Sequence, residues 1–345
     1  MCLKQLLAVA LLISSLSLAY PAEAQDSATA WTVAVYISGD NTLSDNVQQD
    51  LDEITGAGIA ENVRVVALVD QDAVGDSRLL VLEGGVWTDA GLVSVNSSWS
   101  SELDLGAPST LRDFVSWVSS EYPSQSMALD LWGHGAGWSG VCMDRGDWLT
   151  LPELSDALAG QMPDLISIDA CQMGMVEVAY QLSDSADVLV ASEKDVPAEG
   201  WHYGDWLAGI AGADSATAAG TILAQTYMSW ARNNSAYSAT VSVVDLSAMS
   251  ALGQSLDLFA KELWSSTPLL MNSIAMARGA TERYDGDAEY DLVHFPRTVG
   301  AKVGNARLAR FGAGLERDVS KAVVYNDAWT RLGDESAEHA NGLSV

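Results

Sequence analysis

Two short segments carry the most reactive side chains of the sequence. One, Leu129–Trp138, places His134 between two glycines. The other, Ile166–Met175, begins with an apolar run, and Cys171 comes directly after that run. A thiol and an imidazole can together break an amide bond, with the sulfur as nucleophile and the imidazole as proton carrier. We therefore predict acyl-transfer chemistry by Cys171 and His134, with the backbone N–H groups of Gly135 and Cys171 holding the oxyanion.

Each of these segments follows a short apolar run that is typical of a buried strand. Similar runs alternate with helix-like stretches along the chain, which predicts an α/β fold: an αβα sandwich with a mostly parallel central sheet. The predicted strands are Trp31–Ser38, Val63–Val69, Met127–Trp132, Leu165–Asp169 and Val188–Ala191, with a hairpin at Arg78–Trp87; the predicted helices are Asn46–Ile54, Thr110–Ser119, Leu151–Leu158, Met173–Leu182, Ala216–Ala231 and Ala248–Trp264. Functional groups in such sheets gather at the carboxyl ends of strands, where His134 and Cys171 are expected to meet. A helix N-terminus directly after Cys171 would favour the thiolate.

The overall charge limits the classes of partner. The 345 residues include 17 Lys and Arg against 46 Asp and Glu, a formal net charge of -29. A polyanion of this size repels phosphate backbones and anionic lipid surfaces. Nucleic acid and membrane headgroups are therefore poor candidate partners.

The first residues have the order of a secretory signal. Lys4 precedes the apolar run Leu6–Tyr20, and Ala22-Glu23-Ala24 supplies small residues at a cleavage site. We predict a signal peptide at 1–24 and a secreted or periplasmic protein; the alternative, an uncleaved anchor, is disfavoured because the run is short for a membrane span.

The remainder divides into two predicted parts. Residues 25–265 form the predicted catalytic domain, and 266–345, where the pattern weakens, a smaller C-terminal subdomain. The last residues, Asn341–Val345, look like the opening of a strand, which is consistent with a truncated C-terminus. Cys142 and Cys171 remain after signal removal, too few for a disulfide framework, although one bridge between them stays open.

Five blocks of the sequence resemble the clostripain-type cysteine peptidases, relatives of caspases, gingipains and legumain. The resemblance covers Trp31–Trp206 and lies in Trp31–Ile54, in the His-Gly motif of Leu131–Trp138, in Asp169–Gly174 with the Met175–Tyr180 stretch after it, in Ala191–Glu193 and in Glu199–Tyr203. It implies a caspase-like αβα sandwich, a His134 and Cys171 dyad, and cleavage after basic residues, with Arg preferred over Lys. We expect a monomer that acts on peptide or protein substrates.

Three residues are candidates for the substrate pocket. Asp169 lies two positions before Cys171, so strand alternation points both side chains to the same side, and a carboxylate there could pair with a guanidinium. Glu199 is the second candidate acid, and Trp201 could flank the guanidinium or its alkyl stem. The alternatives are a strand-end carboxylate that binds backbone amides for Asp169 and a solvated loop acid for Glu199.

The resemblance also implies self-processing between the two motifs and, in some relatives, calcium dependence. Arg145 is the one basic residue in Ser139–Gln161, so we predict Arg145–Gly146 as the processing bond; the alternative is a loop arginine in a salt bridge. The chemistry requires no cofactor, and calcium is favoured over a transition metal because carboxylates abound. Asp285–Asp291 is a weak calcium candidate that lacks the EF-hand glycine.

Two other functional classes remain as alternatives to a secreted cysteine endopeptidase. A serine esterase would explain His134-Gly135-Ala136-Gly137 as an oxyanion loop, but the sequence lacks the required Gly-x-Ser-x-Gly motif. A non-catalytic secreted scaffold would keep the fold without using the dyad.

Overall fold

A computed structural model describes residues 29–345 apart from 285–288 and 335; the predicted signal peptide at 1–24 lies outside this part. The strands are β1 (Trp31–Ser38), β2 (Val63–Asp70), β3 (Arg78–Glu83), β4 (Val86–Asp89), β5 (Ser126–Trp132), β6 (Val141–Asp144), β7 (Asp147–Leu149), β8 (Leu165–Asp169), β9 (Val188–Ala191), β10 (Ala239–Asp245) and β11 (Val323–Trp329). The helices are α1 (Ser44–Gly56), α2 (Pro108–Glu121), α3 (Leu151–Leu158), α4 (Val176–Gln181), α5 (Tyr203–Ile210), α6 (Ala216–Asn234), α7 (Met249–Arg278), α8 (His294–Val303) and α9 (Ala306–Ala322).

Nine strands form one sheet in the order β11-β10-β9-β8-β5-β1-β2-β3-β4. The five central strands, β9 to β2 in that order, run parallel to one another, and the two outer pairs are antiparallel. All eight residues of β1 are buried, because helices cover both faces of the sheet and leave no polar side for alternation. The predicted αβα sandwich with a mostly parallel sheet is confirmed.

The predicted central strands match the structure to within one residue at their ends, and the hairpin forms as β3 and β4. The boundary predicted at residue 265 is wrong. It falls inside α7, and β11 is the edge strand of the main sheet. Leu292 and Leu315 belong to the same buried cluster as Leu131, so the C-terminal segment completes the core instead of forming a separate unit.

The last residues, Asn341–Val345, do not add a strand to the nine-stranded sheet. Ser344 instead forms isolated bridges with Met175 and Asp291, and its N–H donates to the carbonyl of Gly174 at 2.9 Å. The C-terminal segment thus contacts the loop that follows Cys171. Within the described residues, no helix has the length and apolar character needed to span a bilayer.

Candidate active site

The register of the central sheet brings the two motifs together. β5 and β8 are parallel neighbours whose last paired residues are Trp132 and Asp169. His134 and Cys171 each lie two residues beyond that pair, and both line a pocket of about 130 Å³ at the carboxyl edge of the sheet. The predicted meeting of His134 and Cys171 at one strand edge is therefore seen in the structure.

Gly135 allows the loop after β5 to approach the loop after β8 closely. A Cβ at Gly135 would lie 2.9 Å from the Cβ of Ala170 and 3.0 Å from the backbone nitrogen of Cys171, too close for any other residue without a shift. Directly after the thiol, Gln172 adopts a left-handed conformation with φ of 63°, which turns the chain sharply out of β8. The turn is held by the Gln172 N–H, which donates to the carbonyl of Lys194 at 3.1 Å.

Burial and the negative charge of Asp195 raise the pKa of the Cys171 thiol to about 12, which favours its protonated form. The S–H group donates to the carbonyl of Val196 at 3.7 Å. The expectation of a thiolate at a helix N-terminus is wrong, because α4 has six residues and begins only at Val176. A thiol with this pKa has to lose its proton before the sulfur can act as a nucleophile.

The imidazole of His134 lines the same pocket as Cys171. Burial lowers its pKa, which favours the neutral ring. Its Nε2 lies 2.8 Å from the hydroxyl oxygen of Thr42, in the loop that leads into α1. Thr42 lies in the family-like block Trp31–Ile54 but was not among the predicted site residues; only the fold shows that its hydroxyl contacts His134.

The predicted oxyanion donors, the N–H groups of Gly135 and Cys171, belong to the two loops that meet at the pocket. A Cβ at Gly135 would lie 3.0 Å from the backbone nitrogen of Cys171. Within the described part of the chain, neither N–H has a hydrogen-bond acceptor. An oxyanion hole needs N–H groups that are not engaged elsewhere in this way.

Asp169 lines the same pocket as the thiol, as the strand alternation predicts. Its side chain is 4% exposed, and its Oδ2 accepts hydrogen bonds from the Trp201 N–H at 2.8 Å and the Tyr203 hydroxyl at 3.0 Å. Burial and the negative charges of Asp130 and Asp50 raise the pKa of Asp169. A cation that enters the pocket would relieve this repulsion.

Two other predicted pocket residues lie elsewhere. The expectation that the Trp201 ring flanks the ligand is wrong: the ring is 0% exposed and packs edge-on against Tyr227, with centroids 4.7 Å apart, so only its backbone N–H serves Asp169. Glu199 is exposed and does not line the pocket, although Ala198 and Gly200 on either side do.

The side chains that share hydrogen bonds with Asp169 were not predicted from the sequence. Asp130 lies within the buried strand β5, and its Oδ2 accepts the Tyr203 hydroxyl hydrogen bond at 2.6 Å. The signal was present, because a carboxylate between Leu129 and Leu131 in an apolar run is costly unless it is hydrogen-bonded. Gly200 also lines the pocket and packs against this carboxylate: a Cβ added at Gly200 would lie 2.9 Å from Oδ1 of Asp169.

A family model described as the clostripain family of C11 peptidases matches residues 35–325. The chain belongs to the clostripain family. The match continues well past the region in which the resemblance was visible by motif, through α7 to α9 and into β11. This agrees with a C-terminal segment that shares the core of the sandwich.

Relatives of this clostripain-family chain support the same fold. Clostripain of Hathewaya histolytica is 30% identical over 213 residues, which covers 50% of this chain and 40% of that protein. An inactive zymogen C11 protease from Parabacteroides distasonis superposes with a TM-score of 0.71, 23% identity and coverage of 92% of this chain and 91% of that one. A secreted C11 cysteine protease from Bacteroides thetaiotaomicron, in complex with an irreversible peptide inhibitor, has a TM-score of 0.69, 21% identity and coverage of 91% and 88%.

In this clostripain-family chain, Arg145 lies in the tight turn between β6 and β7. Its φ is 46° and that of Gly146 is 92°, and its guanidinium forms ion pairs with Asp40 and Glu102. The side chain remains 49% exposed. Arg145 is thus a loop arginine in a salt bridge, as in the alternative to a processing site. Because its side chain is half exposed, Arg145–Gly146 remains a candidate processing bond.

Two groups of side chains have the composition of metal ligands. The first is Asp40, Asp70 and Asp144, and the second is Glu282, His294 and His339. Of the predicted calcium segment Asp285–Asp291, residues 285–288 lie outside the described part, and Asp291 accepts N–H bonds from Val293, His294 and Asn341, which indicates a structural role. Cys142 and Cys171 are both free, so no bridge joins them.

Proposed function

We propose that the protein is a cysteine endopeptidase that cleaves after basic residues, with Arg preferred over Lys. The observation that carries this proposal is the buried carboxylate of Asp169 in the same small pocket as Cys171 and His134. A planar guanidinium can form two hydrogen bonds with a carboxylate, whereas an ammonium acts as a point charge. Family membership and the fold support peptidase chemistry at this pocket.

The geometry suggests the following sequence of events. The Arg side chain of the substrate enters the pocket and pairs with Asp169, which places the next carbonyl carbon at Cys171. The sulfur attacks as its proton passes to the neutral imidazole of His134, and the N–H groups of Gly135 and Cys171 hold the oxyanion. His134 then protonates the leaving amine, and water hydrolyses the thioester in a second step that regenerates the thiol. These steps need no cofactor.

Self-processing at Arg145–Gly146 and export belong to the same proposal. The turn between β6 and β7 exposes half of the Arg145 side chain, which is compatible with access by a second molecule. A secreted peptidase that acts on peptides or proteins as a monomer is consistent with the acidic charge, which disfavours nucleic acid and anionic membranes. Glu199, exposed beside the pocket, would attract basic substrates without pairing inside it.

One substrate panel tests the proposal. Purified mature protein is incubated with peptide amides that end in Arg, Lys or Ala, in parallel with Cys171→Ala and Cys142→Ala. We expect hydrolysis of Arg amides above Lys amides, unchanged by Cys142→Ala and abolished by Cys171→Ala. Activity that survives Cys171→Ala would implicate another nucleophile, as in an esterase, and a folded protein without activity on any amide would favour the scaffold.

A further inference from the structure

A second acidic side chain lies beside the nucleophile, outside the pocket that holds Asp169. Asp195 belongs to the loop after β9 and directly precedes Val196, whose carbonyl accepts the Cys171 S–H group at 3.7 Å. Its Oδ1 accepts a hydrogen bond of 2.9 Å from the side-chain amide of Gln172, the residue directly after the thiol. These contacts hold the carboxylate of Asp195 close to the sulfur.

The two acids lie at different depths. Asp169 is buried and lines the pocket, whereas the side chain of Asp195 is exposed. The three residues that follow Asp195, 196–198, line the pocket, so Asp195 lies at its edge. A substrate side chain that fills the pocket reaches Asp169. The residues next to it in the substrate stay outside the pocket, at the level of Asp195.

In the free protein, the charge of Asp195 opposes the reaction. Burial and then the negative charge of Asp195 are the main causes that raise the pKa of Cys171, because a carboxylate beside a thiol disfavours the thiolate. The sulfur has to lose its proton to act as a nucleophile, so this charge hinders the chemical step. A cation that pairs with Asp195 reduces the negative potential at the sulfur. A substrate that carries such a cation therefore removes the hindrance as it binds.

We propose that Asp195 selects substrates with a second basic residue directly beside the Arg that pairs with Asp169. This inference rests on the proposed cleavage after Arg and adds a second point of recognition to it. A carboxylate can accept about four hydrogen bonds, so the Gln172 amide can orient Asp195 while an ammonium or guanidinium group also binds it. Peptides with two adjacent basic residues are the preferred class of substrate, and the second ion pair promotes loss of the thiol proton.

A peptide panel measures this preference. Each peptide contains one Arg, and the residue directly before or directly after it is Lys, Gln or Glu; cleavage after the Arg is followed by mass spectrometry. We expect kcat/KM to be about two- to fivefold higher with Lys than with Gln at one of these positions, the size of an exposed ion pair, and lowest with Glu. Asp195→Asn should remove the difference. The matched control Asp205→Asn, also an exposed acid, should retain it, and high ionic strength should reduce it.

Charge reversal separates recognition from support of the loop. Asp195→Lys should prefer Glu to Lys beside the Arg, and a retained preference for Lys would overturn the proposal. If Asp195 only anchors Gln172, Asp195→Asn changes kcat/KM for all peptides by the same factor, which also overturns it. Glu199 is another exposed acid of the same loop. A preference for Lys that is lost in Glu199→Gln and kept in Asp195→Asn would assign the recognition to Glu199 instead.

The effect of Asp195 on the thiol is measured without any peptide. Iodoacetamide, a small neutral reagent, alkylates the protein at a fixed pH, and the adduct on Cys171 is quantified by mass spectrometry. We expect Asp195→Asn to react at least about threefold faster than the parent, the effect of a nearby unit charge that water screens. Asp205→Asn should react as the parent does, and thermal unfolding checks that each variant is folded. Equal rates for Asp195→Asn and the parent would contradict the coupling between Asp195 and the sulfur.

The outcomes separate this inference from the proposed function. If no Arg peptide is cleaved, the proposed function fails and this inference fails with it. If peptides with a single Arg are cleaved but Lys beside the Arg gives no advantage that depends on Asp195, only this inference is overturned, and cleavage after Arg stands.

Discussion

Asp169→Asn probes the substrate pocket most directly, because it removes the ionisable carboxyl group with almost no change in shape. A hydrogen bond to a charged group contributes about 1.5 to 3 kcal/mol. With each 1.4 kcal/mol equivalent to a factor of ten, kcat/KM for Arg amides should fall by roughly 12- to 140-fold. Asn can still accept the Trp201 N–H, and the repulsion from Asp130 and Asp50 is relieved. We therefore expect the free energy of unfolding to change by no more than about 1 kcal/mol, as at sites that keep their hydrogen bonds.

The assay compares kcat/KM on Arg, Lys and Ala amides with thermal unfolding of the same preparations. Asp205→Asn is the matched control: it removes one negative charge from α5, where the side chain is 72% exposed. The control should hydrolyse all three amides as the parent does, and Asp169→Asn should lose its preference for Arg. Folded Asp169→Asn that cleaves Arg amides as well as the parent would refute the assignment of Asp169 to the pocket.

Three further predictions follow from the same contacts. Arg145→Ala should leave the chain in one piece, as checked by mass spectrometry beside Arg297→Ala; normal two-chain processing would rule out Arg145–Gly146. Thr42→Val removes the hydroxyl beside His134 and should lower kcat by about 2- to 12-fold, the equivalent of a hydrogen bond of about 0.5 to 1.5 kcal/mol, with Thr42→Ser restoring it; equal kcat in both variants would contradict this role. Burial raises the pKa of Asp50 to about 8 and that of Asp130 to about 6 from 3.8, so the folded state retains protons that the unfolded state releases, and stability should fall as pH rises from about 4 to about 8. Thermal unfolding in EDTA checks this, with a flatter profile for Asp50→Asn; a Tm that rises across that range would contradict it.

The elements that were predictable from sequence are those whose signal is local. Near-continuous apolar runs such as Trp31–Ser38 identified the parallel strands, because strands buried on both faces cannot alternate. The carboxyl-edge rule then placed His134 and Cys171 together. The boundary at 265 failed because α7 and β11 are stabilised by packing on distant residues, which the local pattern of 266–345 does not show.

Side-chain roles within the site were predictable only in part. The position of Asp169 followed from the period of two along β8, a property of the backbone. The position of the Trp201 ring did not, because it depends on a buried contact with Tyr227 from α6, far away in the chain. The pKa of Cys171 was not predictable either, because it depends on burial and on Asp195, which lies in a loop 24 residues downstream.

Covalent labelling tests the central claim most directly. The wild-type protein is treated with a peptide that ends in Arg and carries a thiol-reactive electrophile in place of the scissile bond, and the adduct is mapped by mass spectrometry. We predict a single adduct on Cys171, slowed in His134→Ala and in Asp169→Asn, with buried Cys142 unmodified. An adduct on Cys142, or continued hydrolysis of Arg amides by protein fully modified at Cys171, would contradict the account.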